Sequence, residues 1–274
     1  WIKDLYDEFD IKQPLVHLQK DSNIKIVGRL SGKENIGGIS ISSVDENDAY
    51  IAEINAHGKL TKAEVIRTTN HDTPKLIFAP DNSYYSLSSH LDDDDRDIVL
   101  RKFNNDHQLE WQKTGDSLGL TTIISHELDN RAAFTQTDNS LTFELRKRGI
   151  FGNPSTQHIG RVSSKGNLEW NIEVENNIVS ISPSKDGGAI FLHADMRPGI
   201  HEESMTKVDS SGNVQWKKDF SRNDKDGYFE IEEKRNGNIV IAGEFGEEAT
   251  FGRDLKLTAD DGATFIAQLD REGN

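Results

Sequence analysis

The chain has 274 residues, 34% of them apolar and 29% charged, with a formal net charge of −15. It is more polar than an ordinary globular domain, yet holds enough apolar residues for a core built from thin strands. The 47 acidic residues against 32 basic ones repel a nucleic-acid backbone and an anionic membrane, which excludes nucleic acid as a partner. The lack of Cys removes disulfides, thiolate metal sites and Cys nucleophiles.

The opening stretch WIKDLYDEFD starts on Trp1 and has no apolar centre of the signal-peptide kind, which implies a removed leader or a piece of a longer chain. No apolar run approaches the roughly 20 residues of a membrane-spanning helix, so no membrane insertion is expected. From there the chain alternates two phrases. One is a polar turn followed by an alternating strand: SNIKIVG at 22–28, NSYYSLS at 82–88, NRAAFTQ at 130–136, GGAIFLH at 187–193 and GNIVIAG at 237–243.

The other phrase is a strand, a Gly turn and then Trp. It runs through YIAEINAHGKLTK at 50–62, with Gly58 and with Lys62 in place of Trp. It continues in IVLRKFNNDHQLEW at 98–111, with His107 in place of Gly, then Trp111. IGRVSSKGNLEW at 159–170 carries Gly166 and Trp170, MTKVDSSGNVQW at 205–216 carries Gly212 and Trp216, and FIAQLDREGN at 265–274 reaches Gly273.

Positions 58, 107, 166, 212 and 273 recur about every 54 residues. Turns of Asp, Asn, Ser and Gly between strands of period two predict hairpins, and no stretch has helical periodicity. The expectation is an all-β chain, 1–274, forming a β-propeller of four-stranded blades. Its repeat units are about 1–62, 63–111, 112–170, 171–216 and 217–274, in a five-bladed ring or a segment of a larger one. One Trp per unit supplies packing area between blades. Trp1 stands in phase with the other Trp residues, so the C-terminal phrase is expected to pair with the strand that begins there.

The unit 216–274 resembles the seven-bladed β-propeller (SBBP) repeat of bacterial surface and secreted proteins. The resemblance rests on Asn236, Gly237 and Asn238 before IVIAG, on TFG at 250–252, and on FIAQLD ending in Gly273 and Asn274. The first unit, from SNIKIVG through DAYIAEINAHG, is similar. This implies an exported propeller, extracellular, cell-surface or periplasmic, with no catalytic residues to transfer. KVDSSGNVQW is also similar to the repeat of pyrroloquinoline quinone dehydrogenases; in the best characterised of those enzymes a vicinal Cys pair accompanies the cofactor, and this chain has no Cys.

Candidate chemistry is sparse. Asp92, Asp93, Asp94 and Asp95 suggest calcium, although four consecutive Asp cannot converge from one extended loop, and a solvated loop between strands is the plainer reading. Asn223, Asp224, Asp226 and Gly227 with Glu230 alternate oxygen ligands before a Gly, but Arg222 takes the first ligand position of an EF-hand loop. His193 and Asp195 after an inner strand, with His201, Glu202 and Glu203 in the following loop, form a third cluster. No phosphate loop is present at Gly37 and Gly38, and no nucleophile elbow is found. The expectation is a non-catalytic binding or scaffold module whose variable loops meet a protein or glycan. A carbohydrate-active hydrolase or lyase with central carboxylates is the alternative, and a structural spacer is the third reading. No cofactor other than calcium is expected.

Overall fold

The computed structural model describes residues 15–19, 21–30, 32–44, 48–66, 75–92, 95–118, 133–135, 137–147, 156–174, 177–194, 203–222, 229–251, 255–260 and 262–274. The fold is all-β, a series of antiparallel sheets. It divides into two compact units, residues 1–123 and 124–274.

In the first unit the strands are β1 (Leu15–Leu18), β2 (Ile24–Leu30), β3 (Lys33–Ile36), β4 (Ile39–Ser42), β5 (Asp48–Ile54) and β6 (Leu60–Ile66). They form a four-stranded sheet in the order β1-β2-β5-β6, with β3-β4 as a separate hairpin. The next sheet is β7 (Lys75–Phe78), β8 (Tyr84–Asp92), β9 (Asp95–Phe103) and β10 (Leu109–Thr114), in sequence order.

The second unit repeats the design with β11 (Ala133–Thr135), β12 (Leu141–Lys147), β13 (Thr156–Val162) and β14 (Leu168–Val174) as the third sheet. The fourth sheet contains β15 (Asn177–Pro183), β16 (Ala189–Ala194), β17 (Glu203–Val208) and β18 (Val214–Arg222). The fifth contains β19 (Phe229–Glu233), β20 (Ile239–Phe245) and β23 (Ala263–Leu269), while the hairpin β21 (Glu248–Phe251) and β22 (Leu255–Thr258) extends the edge of β18. The described Trp residues lie inside the outer strands, which run on past them.

Both phrases build one turn, except that in the third repeat the polar turn is at Asp138–Ser140 before β12 and not in NRAAFTQ at 130–136, which holds the edge strand β11. At nine places the first residue of a five-residue turn accepts from the amide of the fourth, and its own amide donates to the carbonyl of the fifth. This is the bonding of a hairpin with a left-handed residue beside a bulge. The fourth residue has positive φ in every case: Gly58 at 78°, Gly212 at 81°, and also Ser22, Asn82 and His107 at 63–68°. Asn and Ser tolerate this conformation better than branched residues, and His is among those enriched there. Side chains distinguish the two classes. In the polar-turn phrase the third residue accepts an amide two positions on, Asp21 from Asn23, Asp81 from Ser83 and Asp186 from Gly188. In the Trp phrase the first residue does this work, Asn55, Asn104, Asp209 and Asp270 each taking two amides.

Neighbouring sheets within each unit pack face to face. Val27, Ala49, Ile51 and Ile66 of the first sheet meet Leu76, Phe78 and Tyr84 of the second. Ile159, Trp170 and Val174 of the third meet Ile181, Ala189, Phe191 and Val208 of the fourth. Ile190, Leu192 and Met205 on the other face of the fourth meet Ile231, Ile239, Ile241 and Phe265. The inner strands, such as β5, β16 and β17, are buried on both faces, and each large aliphatic side chain so removed from water is worth about 1.5–3 kcal/mol. Aromatic rings cover the strand glycines: a Cβ on Gly28 would lie 2.6 Å from the Tyr50 oxygen, and one on Gly160 would lie 3.1 Å from Phe143.

Candidate functional site

The site grows out of a joint that recurs between neighbouring sheets. Where a strand follows a described Trp-phrase turn the register slips by one residue, for example between Leu109 and Trp111 and between Arg161 and Val162. Such a bulge gathers side chains that strict alternation would separate. The residue two before the turn (Lys102, Arg161 or Lys207) pairs with Trp111, Trp170 or Trp216 on the outer strand. The bulged residue just before the Trp is Glu110, Glu169 or Gln215. Lys102 and Glu110 form an ion pair at 2.8 Å, as do Arg161 and Glu169.

Between the third and fourth sheets the joint is closed. The Trp170 indole N–H donates to the Ser210 carbonyl at 3.0 Å, and Trp170 lies beneath Gly212, where a Cβ would approach it to 2.9 Å. Arg161 reaches across to donate to the Gly187 carbonyl and pairs with Asp138 at 2.5 Å.

Between the first and second sheets the parts change together. Lys62 replaces the Trp and His107 replaces the Gly. The His107 ring, 5% exposed, sits 3.5 Å from Glu53 and 4.0 Å from Glu64, with Nδ1 3.2 Å from the Tyr84 hydroxyl. Lys25, fully buried, supplies the cation: it pairs with Glu53 at 3.3 Å and donates to Asn105 at 2.9 Å and to the Asn82 carbonyl at 3.4 Å. His107 and then Lys25 hold the Glu53 carboxyl below the usual range against the opposing effect of burial.

Between the fourth and fifth sheets the same joint stands open as a cleft of about 470 Å³. The fourth sheet contributes Lys185, Asp186, Lys207, Gln215 and Trp216, and the fifth contributes Glu233, Arg235, Asn236, Gly237, Arg271 and Glu272. Two substitutions within the repeat explain the opening. Lys207 stands where the third sheet has Arg161, and its ammonium turns to Glu233 at 3.4 Å and Asp186 at 3.7 Å instead of bridging to the next turn. Glu233 occupies the position held by Leu18, Phe78, Thr135 and Pro183 in the other repeats. It accepts from the Ser184 hydroxyl at 2.8 Å and the Lys185 amide at 2.7 Å, and its side chain is 4% exposed. The Trp216 N–H donates to the Arg271 carbonyl at 3.1 Å, matching Trp170, but the ring is only half-buried and faces the cleft.

The other expected sites fall largely outside the described residues. Asp92 pairs with Asp95 at the end of the β8–β9 ladder. Asp94, Asp224 and Asp226 lie outside the described residues, as do Trp1, Asp195, His201 and Glu202. No metal-binding group of three or more His, Cys, Asp or Glu occurs among the described residues. Gly37 and Gly38 form the tight turn between β3 and β4.

His193 lies within β16, not after it, and Glu203 lies within β17, not in a loop. They occupy successive ladder positions, His193 opposite Ser204 and Ala194 opposite Glu203, so their side chains point to opposite faces. His193 is bound to the Thr206 hydroxyl at 3.0 Å, while Ser204 donates to Asp219 at 2.7 Å. No Ser-His pair is formed.

Burial, with the Lys217 ammonium nearby, pushes His193 down to about 4, against about 6.5 for an unfolded imidazole. The fold thus favours the neutral ring. Its contribution is complete above pH 6.5 and is lost as the pH falls toward 4, by roughly 2–3 kcal/mol. In urea denaturation, His193→Gln is expected to flatten the decline in stability between those pH values; an unchanged decline would contradict this assignment.

The chain matches no protein-family model and no curated protein. Among solved structures it is similar to a protein of unknown function from Bacteroides caccae, at 11% identity over 81% of this chain and 69% of that one, with a TM-score of 0.42. It is similar to the polysaccharide lyase Uly1 at 8% identity and a TM-score of 0.47, spanning 94% of this chain and 58% of the lyase. A glycosyl hydrolase from Bacteroides ovatus shares 10% identity over 94% of this chain and 83% of its own, with a TM-score of 0.32.

Proposed function

We propose that the repeated sheets are blades of a β-propeller and that the protein is a non-catalytic binding module of an exported bacterial protein, with the cleft between the fourth and fifth sheets as its site for a glycan. The observation that carries this reading is the division of labour in the cleft. Both oxygens of Glu233 and both of Asp186 are engaged by the fold, while the half-buried Trp216 ring, Gln215, Asn236 and two arginines line the open space. A sugar offers a C–H face to an indole and hydroxyls to planar polar groups, and a site with an aromatic surface and a few polar groups suits it.

A glycoside hydrolase acting in this cleft would need two carboxylates left available for acid and base work. Asp186 and Glu233 are committed as acceptors, which leaves Glu272 as the one cleft carboxylate without an ion pair among the described residues.

Titration of an oligosaccharide panel by calorimetry tests the reading. Saturable binding that weakens at least tenfold in Trp216→Ala is expected. Gln215→Ala serves as the milder variant, because Gln215 is exposed and its loss leaves the joint intact. Failure of every sugar to bind, the outcome for a structural spacer, or binding indifferent to both substitutions would overturn it.

A further inference from the structure

We infer that the glycan bound in this cleft is anionic, carrying a carboxylate or sulfate that Arg235 and Arg271 hold beside Trp216; this rests on the binding reading above. The protein has a net charge of −15, and a polyanion approaching most of such a surface is repelled. The cleft inverts that balance. Lys185, Lys207, Arg235 and Arg271 stand against Asp186, Glu233 and Glu272, four positive charges to three negative, a local +1.

The internal contacts sharpen the excess. Lys207 is paired with Asp186 and Glu233, and Lys185 donates to the Lys234 carbonyl. Arg235 and Arg271 make no ion pair among the described residues. Each is the second residue of its turn, where the fourth sheet has Lys185 and Ser210. The Arg271 carbonyl is fixed by the Trp216 indole, and a Cβ on Gly237 would lie 3.8 Å from Arg271 Nε, so the guanidinium stem runs over the other turn, and Arg235 lines the same cleft. A guanidinium offers a planar fork of donors that matches carboxylate or sulfate, and it loses less hydration than an ammonium when it does so.

The experiment titrates the whole protein with two matched pairs of oligosaccharides: an oligogalacturonide and its methyl ester, and a sulfated cello-oligosaccharide and its unsulfated parent. Within at least one pair the charged member is expected to bind ten-fold or more tightly than the neutral one, and which pair responds identifies the anion as carboxylate or sulfate. Arg235→Ala and Arg271→Ala are each expected to lose about tenfold for the charged sugar and nothing for the neutral one. Arg271→Lys, which keeps the charge and the backbone acceptor for Trp216, should recover part of that loss.

Equal binding of charged and neutral members that is still sensitive to Gln215→Ala would leave a glycan cleft standing and overturn its anionic character. Binding of the charged sugars unaffected by both arginine substitutions would overturn the inference by placing them elsewhere. Absence of binding by all four would overturn the binding reading itself.

Discussion

Replacing Lys25 by alanine is expected to lower the unfolding free energy by about 3–5 kcal/mol, the range for removing one partner of a buried ion pair. Lys25 has no exposed surface and sits on the inner face of the joint between the first and second sheets. Its ammonium has Glu53 at 3.3 Å, Asn105 at 2.9 Å, and the Phe78 and Tyr84 rings at 5.8 and 6.0 Å. Alanine would leave the Glu53 carboxylate with His107 alone and the Asn82 carbonyl with one donor fewer. Lys25→Met combined with Glu53→Gln removes both charges while keeping most of the volume, and is expected to recover much of the loss. Urea denaturation of the three variants reads the effect. A loss below about 1 kcal/mol for Lys25→Ala would mean that the joint is held by its apolar neighbours alone.

Trp170→Ala is expected to cost about 3–5 kcal/mol, as truncation of a buried indole usually does. Trp170 is 7% exposed and packs with Ile159, Val174, Ile181, Ala189, Phe191 and Val208, and its N–H satisfies the Ser210 carbonyl. Gly212→Ala attacks the same contact from the other side. The left-handed backbone costs about 1–2 kcal/mol for a residue with a Cβ, and overpacking against Trp170 adds about 1–3 kcal/mol. In the Trp170→Ala background the second part vanishes, so the double variant should be more stable than additivity predicts by about 1–3 kcal/mol. Strict additivity would show that Trp and Gly do not touch.

The repeat was legible because each phrase carries its own local chemistry. Asp or Asn three residues before the next strand, as in Asp81 and Asp186, closes the side-chain turn, and alternation sets the strands. Spacing also encodes the inserted hairpins. The two left-handed positions of a repeat are 25 residues apart at 82 and 107 but 36 apart at 22 and 58 and at 237 and 273; these are the repeats that contain β3–β4 and β21–β22.

Other features were hidden for physical reasons. A left-handed Ser22 or His107 has no dedicated residue type to announce it. The bulge before each Trp leaves no mark in a period-two pattern. His193 reads as a loop ligand beside His201 until the ladder places it inside a strand against Thr206.

The cleft was the least legible feature, because it depends on what fails to fill it. Lys207 for Arg161 and Glu233 for Pro183 look like ordinary surface variation. Their effect emerges only when two sheets face each other and the third sheet's Arg161 shows what a filled joint looks like.

The most direct test of the account is to incubate the protein with a sugar that it binds and to analyse the sugar afterwards by mass spectrometry while calorimetry records binding. Saturable binding, weakened by Trp216→Ala, is expected, with the oligosaccharide recovered intact after many times the binding lifetime. Shortened or unsaturated products, formed by the native protein and lost in Glu233→Gln, would contradict it and make this cleft a catalytic one.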